Sequence, residues 1–297
     1  MRILVTGATS QTGNLTVRAL LREGYAVRCL IYYNDKGERF LPTTAVELVH
    51  GDLERSDTVR PALEGVDAVA QIAHIRFAPS LIAECEKTPI HRVIFFSSTR
   101  RFTKFDCPTK RMVEEGERAI EASALHYTIL RPAMIYGSQR DNNISHLINY
   151  CRHHRFFPLA GGGGNLIQPV FTLDVAEAVL QALKRPATVR AAYTLAGPDP
   201  MAYRQMIEAI ARSLGRRVTF VPLPLALMLL AARCYQALVR RPRLTAEAIQ
   251  RMGEDRAFDI SPARRDLGFN PIPFEEGIRR QLAGEIDALW TKSPKAG

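Results

Sequence analysis

"MRILVTGATSQTGNLTVRALLREG", residues 1–24, opens on an apolar run, bends through small residues and closes on an amphipathic pattern that stops at Gly24. The run Ile3, Leu4, Val5 reads as a strand. The closing part reads as a helix, because Leu15, Val17, Ala19, Leu20 and Leu21 fall on or near one stripe and glycine is a fitting C-terminal stop. Between them, Thr6 to Gly13 reads as a tight turn. Gly7 and Gly13 let the backbone bend there and let a pyrophosphate approach the helix N-terminus, where free N–H groups and the helix dipole favour an anion. An ordinary strand-to-helix turn is the plain alternative; the strand before and the helix after are the context that favours a phosphate site.

The same alternation continues. "AVRCLIYY", "VELVHGD", "DAVAQIA", "HRVIFFSS" and "YTILRP" read as further strands separated by helical patterns. Parallel neighbours cannot be joined by tight hairpins, so repeated strand–helix units predict an α/β fold: a doubly wound parallel sheet whose ligands sit beyond the carboxyl ends of its strands. After about Gly197-Pro198 the pattern changes to helices and short extended pieces, in "YRQMIEAIARSLG", "LPLALMLLAARCYQALVRRPR", "TAEAIQRM" and "FEEGIRRQLAGEIDALW". We therefore divide the chain into a nucleotide-binding unit, residues 1–198, and a smaller C-terminal α+β substrate lobe, residues 199–297. The loop near 156–170, containing "PLAGGGGNLIQPV", joins that lobe, and the tail "TKSPKAG" is expected to fray.

A chain of 297 residues with 46% hydrophobic and 24% charged content is neither disordered nor fibrous. Five scattered cysteines without a C-x-x-C pair, and seven histidines without ligand spacing, argue against a disulfide framework and predict no metal site. The formal charge of +10 predicts an anionic partner: a nucleotide, a phosphorylated substrate or an acidic membrane surface. No helix-turn-helix, zinc module or aromatic-interleaved basic stripe supports nucleic acid. The opening strand, in place of a charged segment and apolar run, predicts a cytoplasmic protein. The apolar segment Leu223 to Ala232 is too short to span a bilayer and is followed by Arg233, Arg240, Arg241 and Arg243. Residues 223–243 therefore read as a peripheral membrane contact, as a wall for a hydrophobic substrate, or as a helix packed on the lobe.

"TGATSQTG" resembles the T-G-x-x-G-x-x-G fingerprint of the extended and atypical short-chain dehydrogenases/reductases, with Ser10 in place of the middle glycine. "HGDLERSDTVRPALEGVDAV", "QIAH", "LRPAMIYG", "QPVFTLDVAEAVLQAL" and "FDISPARRDLGFNP" resemble later segments of that superfamily, including its epimerase/dehydratase branch. The resemblance implies a Rossmann sheet and an NAD(P) cofactor. It would place Gly7, Thr9, Ser10, Gln11, Thr12 and Gly13 at the phosphates, Asp52 and Leu53 at the adenine, and Ala73, Ser97, Lys110 and Pro132 along the rest of the dinucleotide. Tyr32 stands where many atypical members place an arginine. Asp35 could meet a ribose, and Lys36 and Arg39 a phosphate; the surrounding positive charge tilts the expectation to NADP, with NAD the alternative.

In these enzymes a tyrosine exchanges the proton, a lysine four residues on supports it, and a serine or threonine positions the substrate oxygen. Ser98 and Thr99 match the hydroxyl position and Lys110 the lysine, but Asp106 fills the tyrosine slot. A carboxylate with a reference pKa of about 4 is a poor proton donor at neutral pH. The one literal Y-x-x-x-K, Tyr32 to Lys36, follows the second strand and is a decoy. Lysine without tyrosine resembles NmrA-like regulators, the nucleotide-binding accessory subunit of respiratory complex I, and reductases similar to isoflavone reductase. Lys110 either assists proton transfer, which needs burial or the cations Arg100, Arg101 and Lys104 nearby, or clasps the ribose while pairing with Glu114. The expected function is hydride transfer to a small or lipophilic substrate. The alternatives are a non-catalytic dinucleotide-binding structural or redox-sensing protein, and a nucleotide-sugar epimerase/dehydratase, against which the missing tyrosine counts.

Overall fold

Successive side chains of a strand point to opposite faces, so the unbroken apolar run of the first strand has to be buried on both sides. In the computed structural model, which describes residues 1–141, 143–239 and 253–291, β1 (Arg2–Thr6) does this: Ile3 and Val5 enter the core on one face and Leu4 the core on the other. The expected strands follow as β2 (Ala26–Ile31), β3 (Glu47–His50), β4 (Ala68–Gln71), β5 (Arg92–Phe96) and β6 (His126–Pro132). Four short strands come next, β7 (Ile135–Tyr136), β8 (Phe156–Ala160), β9 (Leu166–Ile167) and β10 (Val170–Phe171), before β11 (Ala191–Leu195) returns to the main sheet. The seven-stranded order is β11-β6-β5-β4-β1-β2-β3, and every pairing in it is parallel. β11 was not among the strands read from sequence; on this edge only Tyr193 and Leu195 of its five residues are buried, so its apolar signal is weak.

The chain leaves β1 toward β2 on one side and β4 lies on the other, which puts the topological switch point between β1 and β4 and opens a crevice at their carboxyl ends. One face of the sheet is covered by α1 (Gln11–Arg22) and α6 (Thr172–Lys184), the other by α2 (Ser56–Leu63), α3 (Ala78–Cys85) and α4 (Pro108–Ala122). The expected stripe on α1 splits: Val17, Ala19 and Leu20 join the sheet core, whereas Leu15 joins the core of the lobe. The helix stops as read, with Gly24 in the left-handed region at φ +80°.

The lobe is built from α5 (Ile144–His153), β12 (Met201–Ala202), α7 (Tyr203–Ser213), β13 (Thr219–Leu223) and α8 (Leu225–Leu238), followed by α9 (Ser261–Leu267), α10 (Phe274–Leu282) and α11 (Glu285–Thr291). α9 is the exception, because Ala263 and Leu267 pack back onto the sheet beside α6. The glycine-rich stretch joins the lobe through pairing: β8 with β13 in parallel and β9 with β12 antiparallel. "FEEGIRRQLAGEIDALW" is two helices, because Gly284 at φ +70° ends α10 and turns the chain into α11. "TAEAIQRM" and Arg240, Arg241 and Arg243 lie outside the described residues. Among the described residues no helix is long and apolar enough to cross a membrane.

Asp174, in the first turn of α6, holds lobe and sheet unit together by accepting a hydrogen bond of 3.0 Å from the Ile272 amide. Burial pushes its carboxyl up to about 6 against the pull of that amide and of Arg280. The folded value lies above the unfolded one of about 4, so ionisation costs stability: nothing at low pH, increasingly between about pH 4 and 6, and a constant amount above. Asp174→Asn keeps an oxygen to accept from Ile272 and has no charge to bury. It should melt above the wild type at pH 8, with the difference shrinking toward pH 4 in a thermal-denaturation series.

Candidate cofactor and substrate site

At the end of β1 the chain makes its closest approach. Gly7 has φ +68°, and a Cβ there would lie 2.6 Å from the Ala73 amide nitrogen; a Cβ on Gly13 would collide with the carbonyl oxygen of Gly7. Helix and strand end thus touch backbone to backbone, which only glycine permits. Ser10, at the position where the fingerprint has glycine, caps α1: its Oγ accepts from the Gly13 amide at 3.0 Å. That uses one of the first-turn amides and leaves those of Gln11 and Thr12 without an intrahelical partner. The buried Nε2 of Gln11 also lacks a hydrogen-bond partner. A pyrophosphate fits this set of donors, so the residues present match the dinucleotide implied by the sequence.

Beside the turn, on the β2 side, opens a cleft of 320 Å³ whose lining includes Gly7, Thr9, Leu30, Tyr32, Asp35, Asp52, Leu53, Ala73 and the cation Arg76. Two residues in it are held by hydrogen bonds. Asp35 accepts from Thr9 Oγ1 at 2.6 Å and from the Gly37 amide at 2.8 Å, and Asp52 accepts from the Glu54 amide at 2.9 Å. Leu30 and Leu53 offer apolar contact for a flat ring. Tyr32 is 61% exposed at the rim. Lys36 and Arg39 are absent from this lining; Arg39 lies over the Phe40 ring at 4.7 Å.

A second cavity, of 310 Å³, opens at the carboxyl ends of β5 and β6. Ser98, Thr99, Gln168 and Arg256 give it polar groups; Pro132, Met134, Ile135, Ile167 and Phe258 make its apolar walls. Ser98 Oγ accepts from the Arg100 amide at 3.2 Å, which leaves its O–H as a donor, and Thr99 Oγ1 donates to the Pro132 carbonyl at 3.4 Å. Gln168 is fixed at both ends of its amide, donating to the Gly197 carbonyl and accepting from the Phe258 amide, each at 2.7 Å. Of the expected catalytic residues, the cavity brings Ser98 and Thr99 together. Lys110 is not in its lining; its Nζ lies 3.9 Å from Glu114 Oε1. Asp106 points elsewhere: its side chain is 68% exposed and grips Arg111, whose Nε donates at 2.8 Å, and that hydrogen bond holds the carboxyl below the usual range.

Ser97 has a different setting from its neighbours. Its hydroxyl donates to Glu117, a fully buried carboxylate on α4 that also takes Arg131 in a bidentate pair, at 2.9 and 2.7 Å, and Arg101 at 2.7 Å. This network ties α4 to the ends of β5 and β6 and to the turn that presents Ser98 and Thr99. The sequence reading did not single it out. The signal was there: Glu117 shares a helical stripe with buried Val113 and Ile120, and an acid on an apolar stripe requires partners.

A family model described as NAD(P)H-binding matches residues 7–186, from the glycine turn to the end of α6. The chain belongs to this NAD(P)H-binding family. It is 26% identical over 250 residues to the photosystem II assembly factor Ycf39 of Trieres chinensis, covering 79% of this chain and 76% of the relative. It is 25% identical over 235 residues to the NAD(P)H azoreductase of Xenophilus azovorans, covering 75% and 77%. Among solved structures, UDP-glucuronic acid 4-epimerase from Bacillus cereus, in complex with UDP-glucuronic acid and NAD, superposes with a TM-score of 0.75. The match is at 16% identity over 97% of this chain and all of that one, a likeness of fold.

Removing one partner from a buried ion pair leaves the others uncompensated, at a cost of about 3–5 kcal/mol. Glu117→Ala, which strands Arg131 and Arg101, should lower the melting temperature accordingly; Glu117→Gln should lose less, because it still accepts. Gly7→Ala, strained in backbone and crowded by Ala73, should weaken NADH binding at least about tenfold in calorimetric titration.

Proposed function

We propose that this member of the NAD(P)H-binding family is a reductase that delivers hydride to a small, lipophilic acceptor held in the cavity between Ser98 and Phe258. The bound dihydronicotinamide would supply the hydride. What supports the reading is the character of that cavity at the carboxyl ends of β5 and β6: apolar walls from Pro132, Met134, Ile135, Ile167 and Phe258 alternate with polar groups that include Arg100 and Arg256, the Ser98 hydroxyl is free to donate, and no acid is among the lining residues. Ser98, whose O–H stays available, would hold the acceptor oxygen or nitrogen; Gln168, with both ends committed, shapes the wall. The azoreductase among the relatives carries a related activity in its name. An epimerase role is less well supported, because the position of its tyrosine holds Asp106, which faces Arg111 and solvent. The same absence favours, as a second reading, a protein that holds its dinucleotide without turning it over.

For the cofactor we infer a preference for NAD over NADP, against the expectation from net charge. The support is local. Asp35 is anchored in the adenosine cleft where a carboxylate can accept from ribose hydroxyls and would repel a 2′-phosphate; neither Lys36 nor Arg39 shares the cleft, and Arg76, which does line it, lies over the Phe77 ring and 3.5 Å from Glu54. Titration should give a lower Kd for NADH than for NADPH by about tenfold or more, and Asp35→Ser should shrink that ratio. Equal affinities in the wild type would remove Asp35 from selection.

Single-turnover oxidation of bound NADH against quinones, enones and azo dyes tests the reductase. Ser98→Ala should slow oxidation by about tenfold to a hundredfold with the NADH Kd unchanged. No oxidation by any acceptor, with NADH bound, would leave the holder reading standing.

A further inference from the structure

We propose that the outer face of the C-terminal lobe docks on an anionic lipid bilayer. β8 and β13 form a two-stranded parallel ribbon in which Thr219 lies opposite Phe156 and Val221 opposite Pro158. Its inner side chains, Phe157, Leu159 and Phe220, belong to the lobe core. The alternate residues face outward. There Phe156 is 63% exposed and Val221 40%; in α8, which follows β13 after Pro224, Leu230 is 60% exposed. Large apolar side chains this exposed, from three elements of one lobe, need a reason.

The rim of the ribbon is basic. Arg152, His153, His154 and Arg155 are all exposed where α5 runs into β8, and Arg216 and Arg217 are exposed just before β13. The Thr219 amide donates to the Arg155 carbonyl at 2.7 Å, which places the two basic clusters side by side. Neither residues 142–173 nor residues 209–239 contain an Asp or Glu, in a chain that has 30. The nearby acid Glu208 is occupied by Arg204 at 3.1 Å, and Arg204 stacks over Phe220. Arg212 is answered by Glu275 at 3.8 Å, whereas among the described residues no acid lies within ion-pair distance of Arg152, Arg155, Arg216 or Arg217.

Projecting apolar groups ringed by arginines match the headgroup region of an acidic membrane: aromatic and aliphatic side chains enter the acyl boundary and guanidinium groups reach the phosphates. With no helix among the described residues able to cross, the contact is peripheral. It extends a surface that begins before the 223–243 segment noted in the sequence, and it is independent of which reaction the cleft performs.

Flotation of the full chain with phosphatidylcholine vesicles, with and without about 30% phosphatidylglycerol, reads this directly. Binding is expected only to the anionic vesicles and should weaken at high salt. The triple variant Arg155→Glu, Arg216→Glu, Arg217→Glu and the double variant Phe156→Ser, Val221→Ser should each lose at least about tenfold in vesicle affinity. Both should keep the wild-type melting temperature and NADH Kd. Failure to float with anionic vesicles, or flotation unchanged in both variants, overturns the proposal. So does a dimer in light scattering that Phe156→Ser dissociates while vesicles bind nothing, because the apolar face would then be covered by a second copy.

Discussion

The carbonyl oxygen of Gly7 lies against the α-carbon of Gly13, and much of the remaining site follows from that contact. It brings the first turn of α1 to the carboxyl edge of β1, so that amides left over by helix geometry open onto the crevice between β1 and β4. It also draws α1 into the molecule. Thr12 through Val17 are buried on every side, with the sheet below, α6 alongside and the lobe core reached by Leu15. A helix enclosed this fully is a fixed support for the amides at its N-terminus.

The two ends of the crevice are built by different physics. The end beside the glycine turn uses backbone amides and short side chains held by local turns, as Asp35 is by Thr9 and Gly37. The other end, where Ser98 and Thr99 face an apolar cavity, is braced from behind by Glu117 and its two arginines. A buried carboxylate shared by two guanidinium groups and a hydroxyl is tolerable because every charge is hydrogen-bonded. The hydroxyl pair is thereby set on rigid elements, while the slot that would hold a tyrosine carries a surface ion pair instead. Reduction of an acceptor that Ser98 holds by a hydrogen bond and that draws its proton from water suits this arrangement better than proton exchange through a fixed phenol.

Sequence reading reached the sheet because strands buried on both faces leave apolar runs, as in β1, β4 and β5; β3, on the edge with none of its residues buried, was read from Leu48 and Val49 in "VELVHGD". β11 escaped because an edge strand with small residues has little such signal. The role of Ser10 was legible only in part: its size was noted, whereas its use as a cap depends on the φ/ψ of the turn. Asp35 illustrates the limit for specificity. Which of Asp35, Lys36 and Arg39 lines the cleft could not be read from their charges, because the hydrogen bonds of one loop place Asp35 there. Glu117 and Ser97 meet across 20 residues of sequence, a pairing that only the packing of α4 on β5 and β6 reveals.

The central claim is that the turn from Thr6 to Gly13 wraps its amides around the paired phosphates of a dinucleotide. Hydrogen–deuterium exchange, with and without saturating NADH, measures those amides themselves. Slowed exchange in the peptide covering residues 7–14, together with the one covering 51–54, is the result expected. Unchanged exchange in 7–14 while NADH is bound would place the nucleotide elsewhere and contradict the account.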